Sequence, residues 1–350
     1  MNIVTQTSKV PPPYQMLGLI ENYKPPSEEE IGILLDLLLA HPVRILDPFL
    51  RQYRLPTYGT KSLIRDRLTV AISSSIIAGA DLISYLDEVE GWGNQHIYLY
   101  QSTVEAGASW SSEEDYRQIL ETHGLAQLCN RRNPAAIPDH LHLSAVRCSG
   151  DRVRFQWVEK RVREFRMPER DCLDDGVTLK AFGEVVTRGV ITFDWDLSTG
   201  HAALMILRLP TGTDYSSVKS RIERELEPLV RISGFRQIRL AQAIAGIEES
   251  GEARRRQYKH ETERGSVASF TSSSRRRDAF DDPVVDDARK ALGPRTISLL
   301  GNFYWKSATG RLDREIHMKL YPKDRRVGIF GACTEEEVRY LLSRIRHYCL

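Results

Sequence analysis

The sequence is poor in cysteine and has no long apolar run. Its five cysteines, among 350 residues, are widely spaced and include no C-x-x-C pair, which argues against a disulfide framework and a zinc ribbon. The most apolar run, residues 31–40, is interrupted by Asp36 and is about half as long as a membrane span. The first ten residues lack the apolar segment of a signal peptide. We therefore expect an intracellular protein, cytoplasmic, nucleoid-associated or nuclear, with no membrane partner.

The sequence also lacks an excess of charge of either sign. Lys and Arg number 49 and Asp and Glu number 47, a net charge of +2. Any nucleic-acid partner must therefore be recognised through a local cluster of basic residues. Hydrophobic residues make up 41% of the chain and charged residues 27%, which is typical of a soluble globular protein, and the length favours more than one domain.

Complete catalytic motifs are missing as well. The sequence contains no Walker loop, no G-x-G-x-x-G and no G-x-S-x-G. Asp139 with Glu159-Lys160 resembles the motif of the PD-(D/E)xK nucleases, but Val158 occupies the position of the second acidic residue. That acid is needed to hold the catalytic metal. A metal-dependent nuclease is therefore the least favoured interpretation.

Two short pairs of potential metal ligands remain. His140 and His142, like Asp194 and Asp196, are spaced so that a strand would place both members of a pair on one face. Neither pair has a recognisable third ligand, which a zinc site would require. We expect no catalytic residue, no metal site and no cofactor.

Composition and periodicity divide the chain into segments. Ser27 and Glu30 have the spacing of a capping box and predict a helix start, and Pro42 predicts its end. Beyond Pro138, apolar residues alternate with polar ones, as in strands. The predicted segments are an extended lead (1–27), a helical domain (28–90), a mixed connecting region (91–140) and an α+β domain (141–350) with a mobile insert at about 248–287.

The predicted fold class is α+β: a small all-helical N-terminal domain followed by a mainly antiparallel sheet with helices on one face. Turns at 198–200 and 322–324 predict two hairpins, each followed by a helix, from Asp214 and from Thr334. This order of elements suggests two β-β-α units. The insert is predicted from its Arg and Ser runs and its few large apolar residues.

The most informative segment is residues 43–73. Its basic charge is concentrated between Arg44 and Arg67, where six basic and two acidic residues give a local net charge of +4. The order of elements is helix, extended turn through Pro56 and Gly59, and a second helix from Thr60. The start of that helix suits phosphate, because unpaired amides and the helix dipole both favour an anion there.

This segment resembles the SAP motif, the helix-extended-helix module of scaffold-attachment and DNA-repair proteins that binds duplex DNA. Leu50, Leu55-Pro56 and Gly59-x-Lys61 match the end of its first helix, the extended stretch and the start of the second helix, while Ile64, Arg67 and Leu68 match later positions. Arg54 departs from the pattern, since the family usually has Gly there. Arg67 is a candidate for holding the turn.

The resemblance implies a DNA-contacting surface on this segment. Strand alternation in the run 152–157 adds two arginines, predicted to face away from the apolar side. The candidate DNA-binding residues are Arg51, Arg54, Tyr58, Gly59, Thr60, Lys61, Arg65, Arg152 and Arg154. The Arg runs 254–256 and 275–277 are predicted to be tethers or a solvated loop.

The interpretation that follows is a non-catalytic protein that binds double-stranded DNA without sequence specificity, as a subunit of a larger complex. The alternative is a protein-interaction or scaffold subunit of a chromosomal or genome-defence complex with little DNA contact. The overall layout, a helical domain before a β-rich one, also resembles that of the centromere protein N family, although no motif carries this likeness. That family implies a basic groove between the two domains.

Overall fold

A computed structural model of the chain describes residues 26–103, 105–130, 137–174, 177–210, 212–293, 296–307 and 311–349. These residues form two compact units, one ending at Val89 and the other beginning at Glu90. The predicted lead segment lies outside the described residues, apart from Pro26 and Ser27.

The first unit is helical, as predicted. Ser27 and Glu30 form the predicted capping box at the start of the first helix, and its C-cap residue, His41, precedes Pro42. Leu38, Leu50 and Leu68 are almost fully buried where the helices pack together. The helices are α1 (Glu28–Ala40), α2 (Val43–Gln52), α3 (Lys61–Ser73) and α4 (Gly79–Val89).

The second unit contains thirteen strands among its described residues. They are β1 (Gly93–Gln101), β2 (His142–Ser149), β3 (Arg152–Arg166), β4 (Cys172–Asp174), β5 (Val177–Leu179), β6 (Phe182–Asp196), β7 (His201–Leu207), β8 (Arg236–Gln237), β9 (Ala253–Glu261), β10 (Val267–Thr271), β11 (Ile297–Trp305), β12 (Ile316–Tyr321) and β13 (Arg326–Ala332). Its helices are α5 (Glu113–Thr122), α6 (Tyr215–Val230), α7 (Ala241–Ser250), α8 (Pro283–Ala291) and α9 (Glu335–His347).

The described strands build one large sheet and a small hairpin. The large sheet has eleven strands in the order β10-β9-β11-β12-β13-β1-β7-β6-β3-β2, with β8 beside β1, while β4 and β5 pair separately. The paired strands run antiparallel. The predicted α+β class with a mainly antiparallel sheet is confirmed.

The sheet has approximate twofold symmetry about β1. Strands β7 and β13 both pair with β1 in antiparallel orientation, and β6 and β12 follow outward on either side. Each hairpin, β6–β7 and β12–β13, is followed in the chain by a helix, α6 or α9. The predicted order of two β-β-α units is thus confirmed.

Each half of the sheet carries its helices on a different face. On β1, Tyr98 and Tyr100 belong to a core cluster that includes α5 and α6, whereas Ile97 and Leu99 belong to a cluster that includes α7 and α9. Because neighbouring residues of a strand point to opposite faces, the two clusters lie on opposite sides of the sheet. Helices therefore cover opposite faces in the two halves of the sheet, and the prediction that they all lie on one face is wrong.

Two predictions about the organisation of this unit are wrong. The region 91–140 is more than a connection, since it supplies the central strand β1. The segment 248–287 is not a mobile insert, because β9 is hydrogen-bonded between β10 and β11 inside the sheet. Its low apolar content misled the prediction: the buried apolar residues of β9 are Ala253 and Tyr258, and the strand is held largely by its hydrogen-bond ladder and ion pairs.

Candidate nucleic-acid interface

Helix α2 ends in a Schellman motif whose left-handed residue is Arg54. Its φ is 57°, its amide donates to the Arg51 carbonyl at 3.0 Å, and the Leu55 amide donates to the Leu50 carbonyl at 2.8 Å. Glycine is the usual residue at this position because it has no Cβ to clash. The turn that the SAP resemblance requires therefore forms with an exposed arginine in place of the family's glycine.

Arg67 holds the extended stretch against α3, as the sequence suggested. Its guanidinium donates to the carbonyls of Pro56 at 3.0 Å and Tyr58 at 2.5 Å, and lies 5.0 Å from the centroid of the Tyr58 ring. Gly59 follows with a φ of +113°, a conformation that favours glycine. Arg67 is thus a turn-holding residue.

The start of α3 combines a cap with an exposed cation. The Thr60 side chain accepts a hydrogen bond from the Leu63 amide at 3.4 Å, and Lys61 is exposed beside it, with Nζ 3.5 Å from the Ala40 carbonyl oxygen. The first-turn amides have no intrahelical acceptor, and the helix dipole is positive at this end. An anion placed here would meet the amides, the dipole and Lys61 together.

His41 does not add a charge to this surface at neutral pH. Burial, assisted by the charge of Lys61, lowers the pKa of His41 to about 4. The positive potential near the start of α3 therefore comes from arginine, lysine and the backbone.

The other predicted residues of this segment differ in how their charge is compensated. The Arg51 side chain is 72% exposed and pairs with Asp47 at 2.8 Å, a surface pair of small energetic value. Arg65, a predicted DNA-binding residue, forms an ion pair with Asp36 on α1. The structure brings the following candidates together in one short stretch, all of them exposed: Arg51, Arg54, Tyr58, Gly59, Thr60 and Lys61.

Arg152 and Arg154 lie in an ion-pair cluster rather than on a free basic face. Asp194 accepts from Arg152 at 2.8 Å and from Arg154 at 3.1 Å, and Glu335 on α9 pairs with Arg154 at 2.6 Å. The side chains of Arg152 and Arg154 are only 27% and 14% exposed. Their carboxylate partners come from β6 and α9, so the local sequence around β3 did not reveal them. These two arginines therefore do not belong to the candidate interface.

The first triple-arginine run is also compensated. Arg254 pairs with Glu315, and Arg255 pairs with Asp278 at 2.8 Å. Residues 275–277 are exposed. The prediction of a basic tether at 254–256 is therefore wrong, because this run forms part of β9.

The residues that resemble a nuclease motif meet only in part. Lys160 Nζ lies 3.2 Å from Asp139 Oδ1, but Glu159 pairs with Arg161 instead. Within the described ranges, no group of three or more His, Cys, Asp or Glu side chains could hold a metal ion. A single carboxylate beside a lysine does not make a metal site.

Exposed apolar side chains were missed by the sequence reasoning. On α3, Leu63 and Val70 are 48% and 65% exposed, and their spacing of seven residues, which places them on one helix face, was the available signal. A second group lies on the ends of β3 and β6 that extend beyond the core, here called the β3–β6 arm. Its exposed residues are Val162, Phe165, Phe182, Val185 and Val186.

No model of a known protein family and no curated protein matches this sequence. In the part of the chain that the structure describes, no helix is both long and apolar enough to span a membrane.

Proposed function

We propose that the protein is a non-catalytic, sequence-nonspecific binder of double-stranded DNA that grips the phosphate backbone through its SAP-like module. In this proposal the phosphates approach the start of α3 and contact Lys61, the adjoining amides and Arg54. It acts inside the cell as a subunit of a larger assembly.

The observation that carries the proposal is the turn between α2 and α3. The left-handed conformation of Arg54, the one position that departs from the SAP pattern, and the clamp by Arg67 both support the resemblance to a SAP motif. They also leave Arg54, Tyr58 and Lys61 exposed around one helix start. Contacts of this kind fix a protein on the phosphate backbone without reading bases.

The test is a fluorescence-anisotropy titration of a labelled duplex with the full chain at two salt concentrations. The test variant combines Lys61→Glu with Arg54→Gly, neither of which removes a buried group. We expect duplex affinity to fall by about tenfold or more. The slope of log K against log salt should decrease by about 0.9 for each phosphate that the variant no longer neutralises.

The control variant is Lys290→Glu on α8, an exposed lysine outside the helical unit. It reverses one lysine charge, as Lys61→Glu does, and should leave duplex affinity nearly unchanged. Equal losses in both variants, or no loss in the test variant with an unchanged circular dichroism spectrum, would remove the module from the DNA interface. Cleavage of the duplex on adding Mg²⁺ would instead support the nuclease alternative.

The second candidate function is a protein-interaction subunit with little DNA contact. The β3–β6 arm favours it, because three of its exposed apolar side chains, Val162, Phe182 and Val186, lie on one face of the paired strands, and clustered apolar exposure marks interaction surfaces. Undetectable duplex binding by the unmodified chain at low salt would favour the protein-interaction function over DNA binding.

A further inference from the structure

A row of aromatic rings crosses the half-sheet formed by β9, β11, β12 and β13. Alternate residues of these strands, including Phe303 and Met318, belong to the core under α7 and α9, so Tyr304, His317 and Phe330 point to the opposite face. These three are direct cross-strand neighbours. Their ring centroids are 4.8 Å and 4.9 Å apart. We call this surface the ring row.

One ring of the row, Phe330, lies close to the sheet because of a glycine. A Cβ at Gly328 would lie 2.9 Å from the Phe330 ring and 3.2 Å from the His96 ring, so both rings occupy the space of the missing side chain. The Phe330 ring therefore lies close to the strand backbone, and both it and the Tyr304 ring are half-buried.

Cations surround the ring row. The Lys319 ammonium lies 5.5 Å from the Phe330 centroid. Arg256 lies on β9, the strand that pairs with β11. Burial, together with the charges of Lys319, Arg275 and Arg256, lowers the pKa of His317 to about 4. Among the described residues, no carboxylate forms an ion pair with Arg256, Arg275 or Lys319. Arg254, which lies 5.0 Å from the Tyr304 centroid, is paired with Glu315, so the uncompensated positive charge comes from the other three cations.

We propose that the ring row is a second nucleic-acid site, one that binds single-stranded DNA or RNA. Phosphates would contact Arg256, Arg275 and Lys319, and bases would pack against Tyr304 and Phe330. Single strands expose their bases to aromatic side chains, whereas a duplex keeps them stacked inside. The proposal rests on the sheet alone and does not depend on DNA binding by the helical unit.

The test is an anisotropy titration of the full chain with a labelled oligothymidine, an oligouridine of equal length and a duplex. Arg256→Glu with Lys319→Glu should lower affinity for both single strands at least tenfold and duplex affinity less than threefold. Tyr304→Leu with Phe330→Leu keeps the charge and should still weaken single-strand binding by about fivefold or more. Lys61→Glu with Arg54→Gly should leave single-strand binding unchanged, which separates the two sites.

The controls decide between ligands. Lys290→Glu should leave single-strand binding intact, and thermal melts monitor the fold. If the double leucine variant unfolds, Lys319→Glu is compared with Lys319→Arg, and a loss of single-strand affinity is expected only for the glutamate.

Unchanged single-strand affinity in the charge-reversed variant would overturn the proposal, as would equal losses of affinity for single strands and duplex. Competition by polyglutamate as effective as by oligothymidine would assign the face to acidic peptides instead.

Discussion

The SAP-like segment and strand β3 are both rich in arginine and lysine, yet their basic side chains differ in exposure and in ion pairing. In the segment, Arg54 and Lys61 remain exposed on a turn and a helix start. On β3, Arg152 and Arg154 are shielded and share the Asp194 carboxylate. In a helical module, few residues from distant parts of the sequence contact a given side chain. A strand inside a sheet, in contrast, pairs on each side with a strand from another part of the chain.

This difference shows when a basic cluster in a sequence predicts a basic surface. A basic cluster becomes a basic surface where the residues around it in the fold are the same residues that surround it in the sequence. In a sheet, residues some forty positions away supply the compensating acids, as Asp194 does for Arg152. The ring row differs in part: Arg254 beside Tyr304 is paired with Glu315, but the direct cross-strand neighbours of Lys319 are the uncharged Asn302 and Gly328.

The largest expected effect tests whether β9 belongs to the sheet as an inner strand. Deleting residues 252–282 should abolish the cooperative unfolding of the second unit, because it removes the partner of β11 and the buried Tyr258 ring. The measurement is a urea titration followed by tryptophan fluorescence. As a control, replacing the exposed residues 275–277 by Ser-Gly-Ser should shift the free energy of unfolding by less than about 0.5 kcal/mol. A deletion variant that still unfolds cooperatively would show that the segment is dispensable.

The error at β9 shows what the sequence could and could not provide. Local signals were sufficient for the helices, since a cap such as Ser27 with Glu30 acts within one turn, and for hairpins, whose turns are local. The position of β1 at the centre of the sheet and the pairing of β9 depend on contacts between distant residues. No periodicity within either strand specifies its neighbours.

A smaller effect on the free energy of unfolding is expected from breaking two ion pairs that differ in burial. Asp194→Asn should lower the free energy of unfolding by about 3 kcal/mol, because it leaves the shielded guanidinium groups of Arg152 and Arg154 without their shared carboxylate. Asp36→Asn, which breaks the exposed pair with Arg65, should cost less than about 1 kcal/mol. Urea titrations of the two variants provide the comparison. Similar costs would contradict the distinction between shielded and exposed arginines.

The candidate site was predictable to a similar, partial extent. The residues from Arg51 to Lys61 are contiguous, so their proximity followed from the sequence. The partner of Arg65 on α1, Asp36, is 29 positions away and could not be inferred from the segment itself. The ring row was beyond sequence reasoning, because its members come from separate strands whose order in the sheet was unknown.

The smallest effect concerns Arg54, where stability and binding should separate. Its positive φ suits glycine, so Arg54→Gly should stabilise the helical unit or leave it unchanged, with a gain of up to about 1 kcal/mol. The same change removes an exposed cation from the proposed interface and should weaken duplex binding at low salt. Arg54→Ala removes the same charge but keeps the unfavourable backbone, so it should bind as weakly as the glycine variant and be less stable. Thermal melts and duplex titrations of both variants measure the two effects. If glycine lowered stability more than alanine, the left-handed turn would not form at this position, and the resemblance to the SAP motif would lose its strongest structural support.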